Sequence, residues 1–431
     1  MQVRQGSTQV DAASIHAHHK DWGSEILRGS GSREPSSRIE IEVGLLTGGQ
    51  DKHYAFGLAM ALISKGVCLD FIGSDMLDGP ELHDTHRINF LNLRGDQRRD
   101  ANLVRKVARV LIYYGRLLRY ASIARPKLFH ILWNNKFEVI DRTILMLYYK
   151  LMGKKLVLTA HNVNAGKRDS IDTLLNRLTL GIQYRLADHI FVHTDNMKRE
   201  LVEDFKVSEN SVTVIPYGIN NAVPDTRLTS ADAKQRLGIK ADERVILFFG
   251  RIVPYKGLEY LLAAFQQIMR ERDDYRLIIA GSPDKNCENY WNAIQETISR
   301  DVNRERILLK IQFIPDDETE VFFKAADVLA LPYRQIYQSG VLFFGYSFGL
   351  PIIAADVGNL REDVIDGKTG FLCKAEDPVD LARAIETYFA SDLFQCLHTR
   401  RKEIRQYARE RHSWDMVGHM TRNVYAELLE N

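Results

Sequence analysis

The chain has 431 residues, of which 45% are apolar and 26% charged, and its formal net charge is only +2. That length exceeds the roughly 250–300 residues at which a single core stops growing, so two domains are expected, and so small a charge argues neither for nor against nucleic acid. Cys68, Cys287, Cys373 and Cys396 stand far apart, which excludes a CxxC metal or redox site and fits a reducing compartment, hence the cytoplasm.

Residues 1–37 are polar, with "HAHHK" and "GSGSREPSS" and no apolar core. They read as a mobile tail, neither signal peptide nor membrane anchor. His16, His18 and His19 read as solvated tail residues, with metal binding as the alternative. Beyond the tail, "IEIEVGLL" at 39–46 predicts a strand, "TGGQD" a turn, "HYAFGLAMALISKG" a helix and "VCLDFIG" a second strand. Such a βαβ unit implies a parallel sheet with helices on its faces. "LFHILW", "KLVLTAH", "HIFVHT" and "SVTVIPYG" add strands to this first unit, and 219–243 reads as a linker with one short helix, "SADAKQRLG".

The alternation then restarts. "RVILFFG", "YRLIIAG", "ILLKIQFI", "DVLALP" and "PIIAAD" are strand candidates, separated by helices such as "GLEYLLAAFQQIMRER" and "DETEVFFKAA". A last helix begins near Ser413. No run of roughly 18 apolar residues offers a membrane span.

Ligands of parallel sheets bind beyond the carboxyl ends of the strands, where helix amino termini are exposed. Gly48 and Gly49 follow the first strand and would let backbone approach a ligand, although an ordinary turn explains them equally well. His161 ends a strand in "TAHNVN", where a lone histidine is more often structural than catalytic. Arg251 and Lys256 follow "RVILFFG" and precede a helix, a pairing that suits a diphosphate, with two solvated surface charges as the alternative. Ser339 and Gly340 open the apolar helix "VLFFGYSFG", whose free N–H groups, with the Ser339 hydroxyl, would hold phosphate oxygens; simple N-capping by serine explains the same residues.

In "GRIVPYKGLEYLLAAF", "YRLIIAG" and "ADVLALPYRQIYQSGVLFFGYSFGLPIIAADVGNLREDVIDGKTGFL", and more weakly in "LTGGQD" and "TAHNV", the chain resembles glycosyltransferase family 4, the retaining group 1 enzymes of GT-B fold. The resemblance covers about residues 39–430. It implies an α/β protein of two Rossmann-like domains facing across a cleft: an acceptor domain at 38–218, a nucleotide-sugar domain at 219–412, and a helix at 413–431 returning to the first.

The same resemblance assigns roles. Arg251 and Lys256 match the pair that clamps the donor diphosphate, and Ser339, Gly340 and Val341 the helix start that receives the phosphates. His161 matches a histidine near the transferred sugar, with Gly49 and its neighbour Gly48 in the loop beside it. The expected donor is a UDP- or GDP-linked sugar, handled without metal or other cofactor. The expected acceptor is a saccharide or a polyprenyl-diphosphate-linked sugar, in cell-surface polysaccharide or glycolipid assembly. One departure stands out. The family commonly has two glutamates eight residues apart around this helix, and here Ile336 and Phe344 occupy those positions. Gln338 either bonds sugar hydroxyls in their place or is a plain loop residue. Two rivals stay in view: a nucleotide-sugar epimerase, which can share the two-domain fold, and an inactive glycosyltransferase-like scaffold, prompted by the missing pair.

Between Arg94 and Lys127 lie ten basic and two acidic residues. At about 100° per residue, Arg105, Arg109, Arg116 and Arg119 fall within an arc of about 80°, with Leu103, Val107, Val110, Tyr114, Leu117, Leu118 and Ala121 opposite. Such a helix either packs its apolar face on the domain and solvates its arginines, or meets anionic lipid at the inner membrane face. Nucleic acid is not expected, since no binding module accompanies the charge.

Overall fold

The computed structural model describes residues 40–49, 51–97, 102–168, 172–219 and 225–430. The expected tail with its three histidines, and part of the linker, lie outside these.

Strand β1 (Glu42–Leu46) is followed by helix α1 (Lys52–Ser64), whose first turn is capped by the Asp51 carboxylate accepting from the Tyr54 N–H at 3.1 Å. Then come β2 (Cys68–Ile72), β3 (Ile88–Leu91), the long helix α2 (Leu103–Ile123), and β4 (Leu128–Ile131). A helical run from 138 leads into α3 (Met146–Leu151), then β5 (Lys155–Thr159), α4 (Leu174–Leu186), β6 (His189–Val192) and β7 (Val212–Val214). These strands form one parallel sheet in the order β3-β2-β1-β4-β5-β6-β7.

The second sheet is built from β8 (Arg244–Phe249), β9 (Tyr275–Gly281), β10 (Ile307–Ile311), β11 (Val328–Leu331), β12 (Ile352–Ala355) and β13 (Gly370–Cys373). Its order is β10-β9-β8-β11-β12-β13, again all parallel. Helix α5 (Leu258–Ile268) follows β8, α6 (Asp316–Ala325) follows β10, α7 (Gly340–Ser347) follows β11, and α8 (Trp414–Glu430) ends the described chain. The fold is thus two Rossmann-like sheets of seven and six strands with helices on their faces.

The central strands β4, β6, β11 and β12 are buried along their whole length, because helices cover both faces of a parallel sheet. Each fully buried Leu, Ile, Val or Phe contributes on the order of 1.5–3 kcal/mol. Two strands were missing from the sequence reading, β3 and β13. Both lie at sheet edges and are only partly buried, so their apolar signal is diluted. Helix α8 packs on α1 so closely that a Cβ on Gly418 would stand 2.8 Å from the Ala61 carbonyl oxygen. Its Tyr425 reaches His130 of β4, with the hydroxyl 2.5 Å from Nδ1.

Candidate active site

Both sheets reverse their strand order, the first between β1 and β4, the second between β8 and β11. Loops leaving the carboxyl ends of such strands diverge and leave a crevice. A cavity of about 970 Å³ lies there, lined from one side by Trp133, Asn134 and His161 and from the other by Arg251, Lys256 and residues 338–341. The structure thus brings His161, Arg251, Lys256, Gln338, Ser339, Gly340 and Val341, all singled out in the sequence, to one cavity.

On the second-sheet side, β8 is followed by Gly250, which passes close to the end of β9. A Cβ on Gly281 would stand 1.8 Å from the Gly250 carbonyl oxygen, so glycine there is a steric requirement. A short turn, Pro254–Lys256, then delivers Lys256, buried at 6% exposure, with its ammonium 5.6 Å from the Tyr333 ring centroid. Gly257 ends that turn in the left-handed region at φ 65°, and a side chain on it would meet the Pro332 carbonyl oxygen at 2.0 Å. Arg251 is more exposed and donates to Asp284 Oδ2 at 3.1 Å.

Ser339 caps α7: its hydroxyl accepts from the Leu342 N–H at 3.3 Å and lies 3.4 Å from the Tyr333 hydroxyl. The serine therefore has a structural task as well as a place on the cavity wall. First-turn N–H groups of a helix have no partner within it, and Gly340 and Val341, the first two residues of α7, line that wall. Ile336 and Phe344 also line the cavity, each 8% exposed. Phe344 sits in an aromatic cluster, 4.6 Å from Phe323 and 5.4 Å from Phe348 between ring centroids. Beside Ile336 and Phe344, Gln338 Oε1 is buried with no hydrogen-bond partner. Asp363 lies close by, its carboxyl pushed up to about 7 by burial, with the Asn359 and Gln338 amides opposing that shift.

On the first-sheet side His161 stacks on Trp133, ring centroids 4.4 Å apart and planes 7° from parallel, with Tyr54 edge-on at 4.6 Å. Its Nδ1 is 3.1 Å from His193 Nε2, and His193 Nδ1 is 3.3 Å from the Ile215 carbonyl oxygen. A carbonyl can only accept, so His193 carries its proton on Nδ1 and takes a hydrogen bond at Nε2 from His161 Nδ1–H. His161 Nε2 is left as a bare acceptor, and it has no partner. Both rings are neutral: burial pushes His193 down to about 4, and burial, then the neighbouring His193 and His130, holds His161 well below its ordinary value.

Gly48 and Gly49 are not on the cavity wall. Both adopt positive φ, 61° and 68°, and the Arg94 guanidinium donates to the Gly48 carbonyl and covers the turn. The sequence reading missed several wall residues. Asn134 and Gln183 exchange amide hydrogen bonds at 2.9 and 3.3 Å, and the Arg142–Glu138 pair and the exposed Phe313 also face the cavity. Trp133 and Asn134 directly follow β4, so the strand-end rule applied to "LFHILWNN" would have found them. His53 at the start of α1 pairs with Asp316 at the start of α6 at 3.2 Å, joining the two walls. Burial opposes charge on His53, but Asp316 outweighs it and raises the histidine.

The four α2 arginines stand outside the large cavity. Arg105, Arg116 and Arg119 are exposed; Arg116 donates to the Leu93 carbonyl, and Arg109 donates to the Asp96 carbonyl at 2.8 Å. Tyr113, Leu117, Tyr120 and Ala121 form the buried face, while Val104, Val107, Leu111 and Leu118 remain exposed. The helix therefore has two apolar strips, one in the core and one facing outward. Among the described residues no helix is long and apolar enough to cross a membrane.

Comparison with known proteins follows this division. The family model described as Glycosyltransferase Family 4 matches residues 53–223, and that described as Glycosyl transferases group 1 matches residues 243–391. The D-inositol 3-phosphate glycosyltransferase of Corynebacterium aurimucosum is 27% identical over 64% of this chain and 66% of its own length. That of Corynebacterium diphtheriae is 31% identical over 55% of this chain and 57% of its own. The chain thus spans somewhat less than two thirds of these relatives. Sucrose-phosphate synthase from Thermosynechococcus elongatus superposes with a TM-score of 0.70 at 19% identity, over 91% of this chain and 100% of that one. Anabaena HepE in complex with UDP and glucose gives 0.70 at 17% identity, over 90% and 100%. With one family model on each sheet and this shared two-sheet architecture, the chain belongs to the group 1, family 4 glycosyltransferases of GT-B fold.

Proposed function

We propose that the protein transfers a sugar from a nucleotide-diphosphate sugar to a saccharide or lipid-linked acceptor, with retention and without a metal ion. The observation that carries this reading is the meeting of Arg251, Lys256 and the α7 amino terminus on one wall of the cavity, opposite neutral His161. The neighbour that holds UDP and glucose supports a nucleotide-sugar donor.

In this reading the diphosphate lies against Gly340 and Val341 N–H, with Arg251 and Lys256 on its oxygens. The bond from the anomeric carbon to the phosphate oxygen breaks, and a bond from that carbon to the acceptor oxygen forms on the same face. The acceptor's proton passes to the departing phosphate oxygen. Cations and helix N–H groups placed where negative charge grows stabilise the transition state more than the ground state. His161 Nε2 accepts from a hydroxyl of the transferred sugar. Gln338 Oε1, buried without a partner on the donor wall, takes the part of one missing carboxylate.

The exposed α2 arginines and Val104, Val107 and Leu111 support a peripheral place on an anionic membrane, which suits glycolipid or cell-surface polysaccharide assembly. Ile336 and Phe344 favour a second reading, an inactive scaffold of the same fold. A thermal-shift panel of uridine and guanosine sugars tests the choice. A bound ligand at a hundredfold excess over its Kd stabilises by about 2.7 kcal/mol. A shift from one nucleotide sugar that is abolished by Arg251→Ala with Lys256→Ala supports the transferase; no shift from any supports the scaffold. Release of an epimerised donor without acceptor would instead identify an epimerase.

A further inference from the structure

A second cavity, of about 340 Å³, lies beside the first, where α2 meets the segment before it and the residues after β4. Arg94, Lys106, Arg109, Lys136 and Lys285 line it, against the single carboxylate of Asp96. Arg109 pairs with that carboxylate at 3.5 Å, and Arg94 holds the Gly48 carbonyl while its guanidinium lies 5.5 Å from the Tyr113 ring centroid. Lys106, Lys136 and Lys285 have no carboxylate partner among the described residues. The polar floor is already satisfied: the Tyr113 hydroxyl donates to Asn135 Oδ1 at 2.7 Å, and Asn135 Nδ2 donates to Asp141 Oδ1 at 3.2 Å. The free capacity of the pocket is therefore cationic, and a concave, walled cluster of one sign focuses its field on a small anion.

Its position relative to the large cavity matters. Asn134 lines the large cavity and Asn135 the small one, and Arg94 spans the glycine turn beside Trp133. The two cavities adjoin at Asn134 and Asn135, so a molecule anchored in the small pocket has the large cavity within reach. The exposed Val107 and Leu111 are neighbours of the pocket residues Lys106 and Val110 on α2, so an apolar chain leaving the pocket has a surface to follow.

We propose that this pocket binds the phosphoryl or diphosphoryl group of the acceptor, so that the acceptor is an anionic phosphate ester. This rests on the transferase reading for the word acceptor, but the binding itself does not. Two sources share the chemistry, a soluble sugar phosphate and a lipid diphosphate.

The test uses the full chain carrying Arg251→Ala and Lys256→Ala, which removes the competing donor cradle, and titrates it calorimetrically with inorganic pyrophosphate, geranyl diphosphate and geraniol. The expected result is saturable pyrophosphate binding that weakens with salt and falls about tenfold or more on adding Lys106→Glu and Lys136→Glu. Geranyl diphosphate binding more tightly than pyrophosphate, with the gain lost in Leu111→Ser, identifies a lipid source; equal affinity identifies a soluble one. Lys285→Glu, on the opposite side of the pocket, repeats the test should the double reversal lower the melting temperature. Absence of saturable pyrophosphate binding, or affinity indifferent to every charge reversal, overturns the proposal. Failure of the transferase reading would show separately, as absence of nucleotide-sugar binding by the unmodified chain.

Discussion

In the proposed transferase, Lys256 is the residue on which donor binding would depend most. It is buried, and its position is determined by the left-handed Gly257 and the tight turn before it. Lys256→Ala is expected to lower kcat/KM by about 100- to 1000-fold, in line with loss of one preorganised charge at a growing anion, with the melting temperature largely retained. Steady-state kinetics with the identified donor checks this. Gly257→Ala would act through the backbone instead. Its Cβ would collide with the Pro332 carbonyl at a positive φ, so a loss of about 1–3 kcal/mol in urea unfolding is expected, along with weaker donor binding. At this scale the sequence announced Arg251, Lys256 and Ser339, because each sits at a fixed offset from a readable strand or helix start. His193, which sets the tautomer of His161, was not announced: its partner is 32 residues away and the contact exists only after two strands pair.

Among the elements, α2 and α8 differ in how much of their role could be read. The apolar and basic periodicities of α2 were visible, but the sequence placed Val107 and Leu118 on one face with Leu117 and Ala121, whereas the first two are exposed and the last two buried. A helical wheel shows apolar area and cannot say how much of it the neighbouring helices cover. Arg105→Glu with Arg119→Glu is expected to weaken co-sedimentation with vesicles of phosphatidylcholine and phosphatidylglycerol by about tenfold or more, at about 1 kcal/mol for each basic residue near the surface. Helix α8 is held at its first residue by Trp414, whose Nε1 donates to the Ile219 carbonyl at 2.8 Å and whose ring fills the space above Gly57 and Gly218. Trp414→Ala should cost about 3–5 kcal/mol by denaturant unfolding, since it empties that space between segments distant in the chain.

Taken as a whole, the molecule buries several histidines in neutral form. Burial pushes His130 down to about 3 and His189, His193 and His412 to about 4. A histidine whose folded pKa lies below its unfolded value lets the unfolded chain bind the extra proton first, so stability rises with pH between about 4 and 6.5 and is lost on acidification. Asp363, raised to about 7, works in the opposite direction over an overlapping window, and His53, raised by Asp316, holds the two walls together better at low pH than at high. The histidines outnumber these, and a falling melting temperature from pH 6.5 to pH 5 is the expected outcome of a calorimetric pH series.

The sequence by itself determined the two parallel α/β units, the central strands, the helix starts at Ser339 and Ser413, and the cations that follow β8, because each follows from local periodicity, capping or offset from a strand end. Only the tertiary structure decided which of these residues share a cavity. It removed Gly48 and Gly49 from the wall by laying Arg94 over them, turned Ile336 and Phe344 into part of an apolar surface, and gathered Arg94, Lys106, Lys136 and Lys285 around a second pocket. Those outcomes depend on strand order and helix docking, which bring together residues up to about two hundred positions apart, and no local pattern encodes such distances.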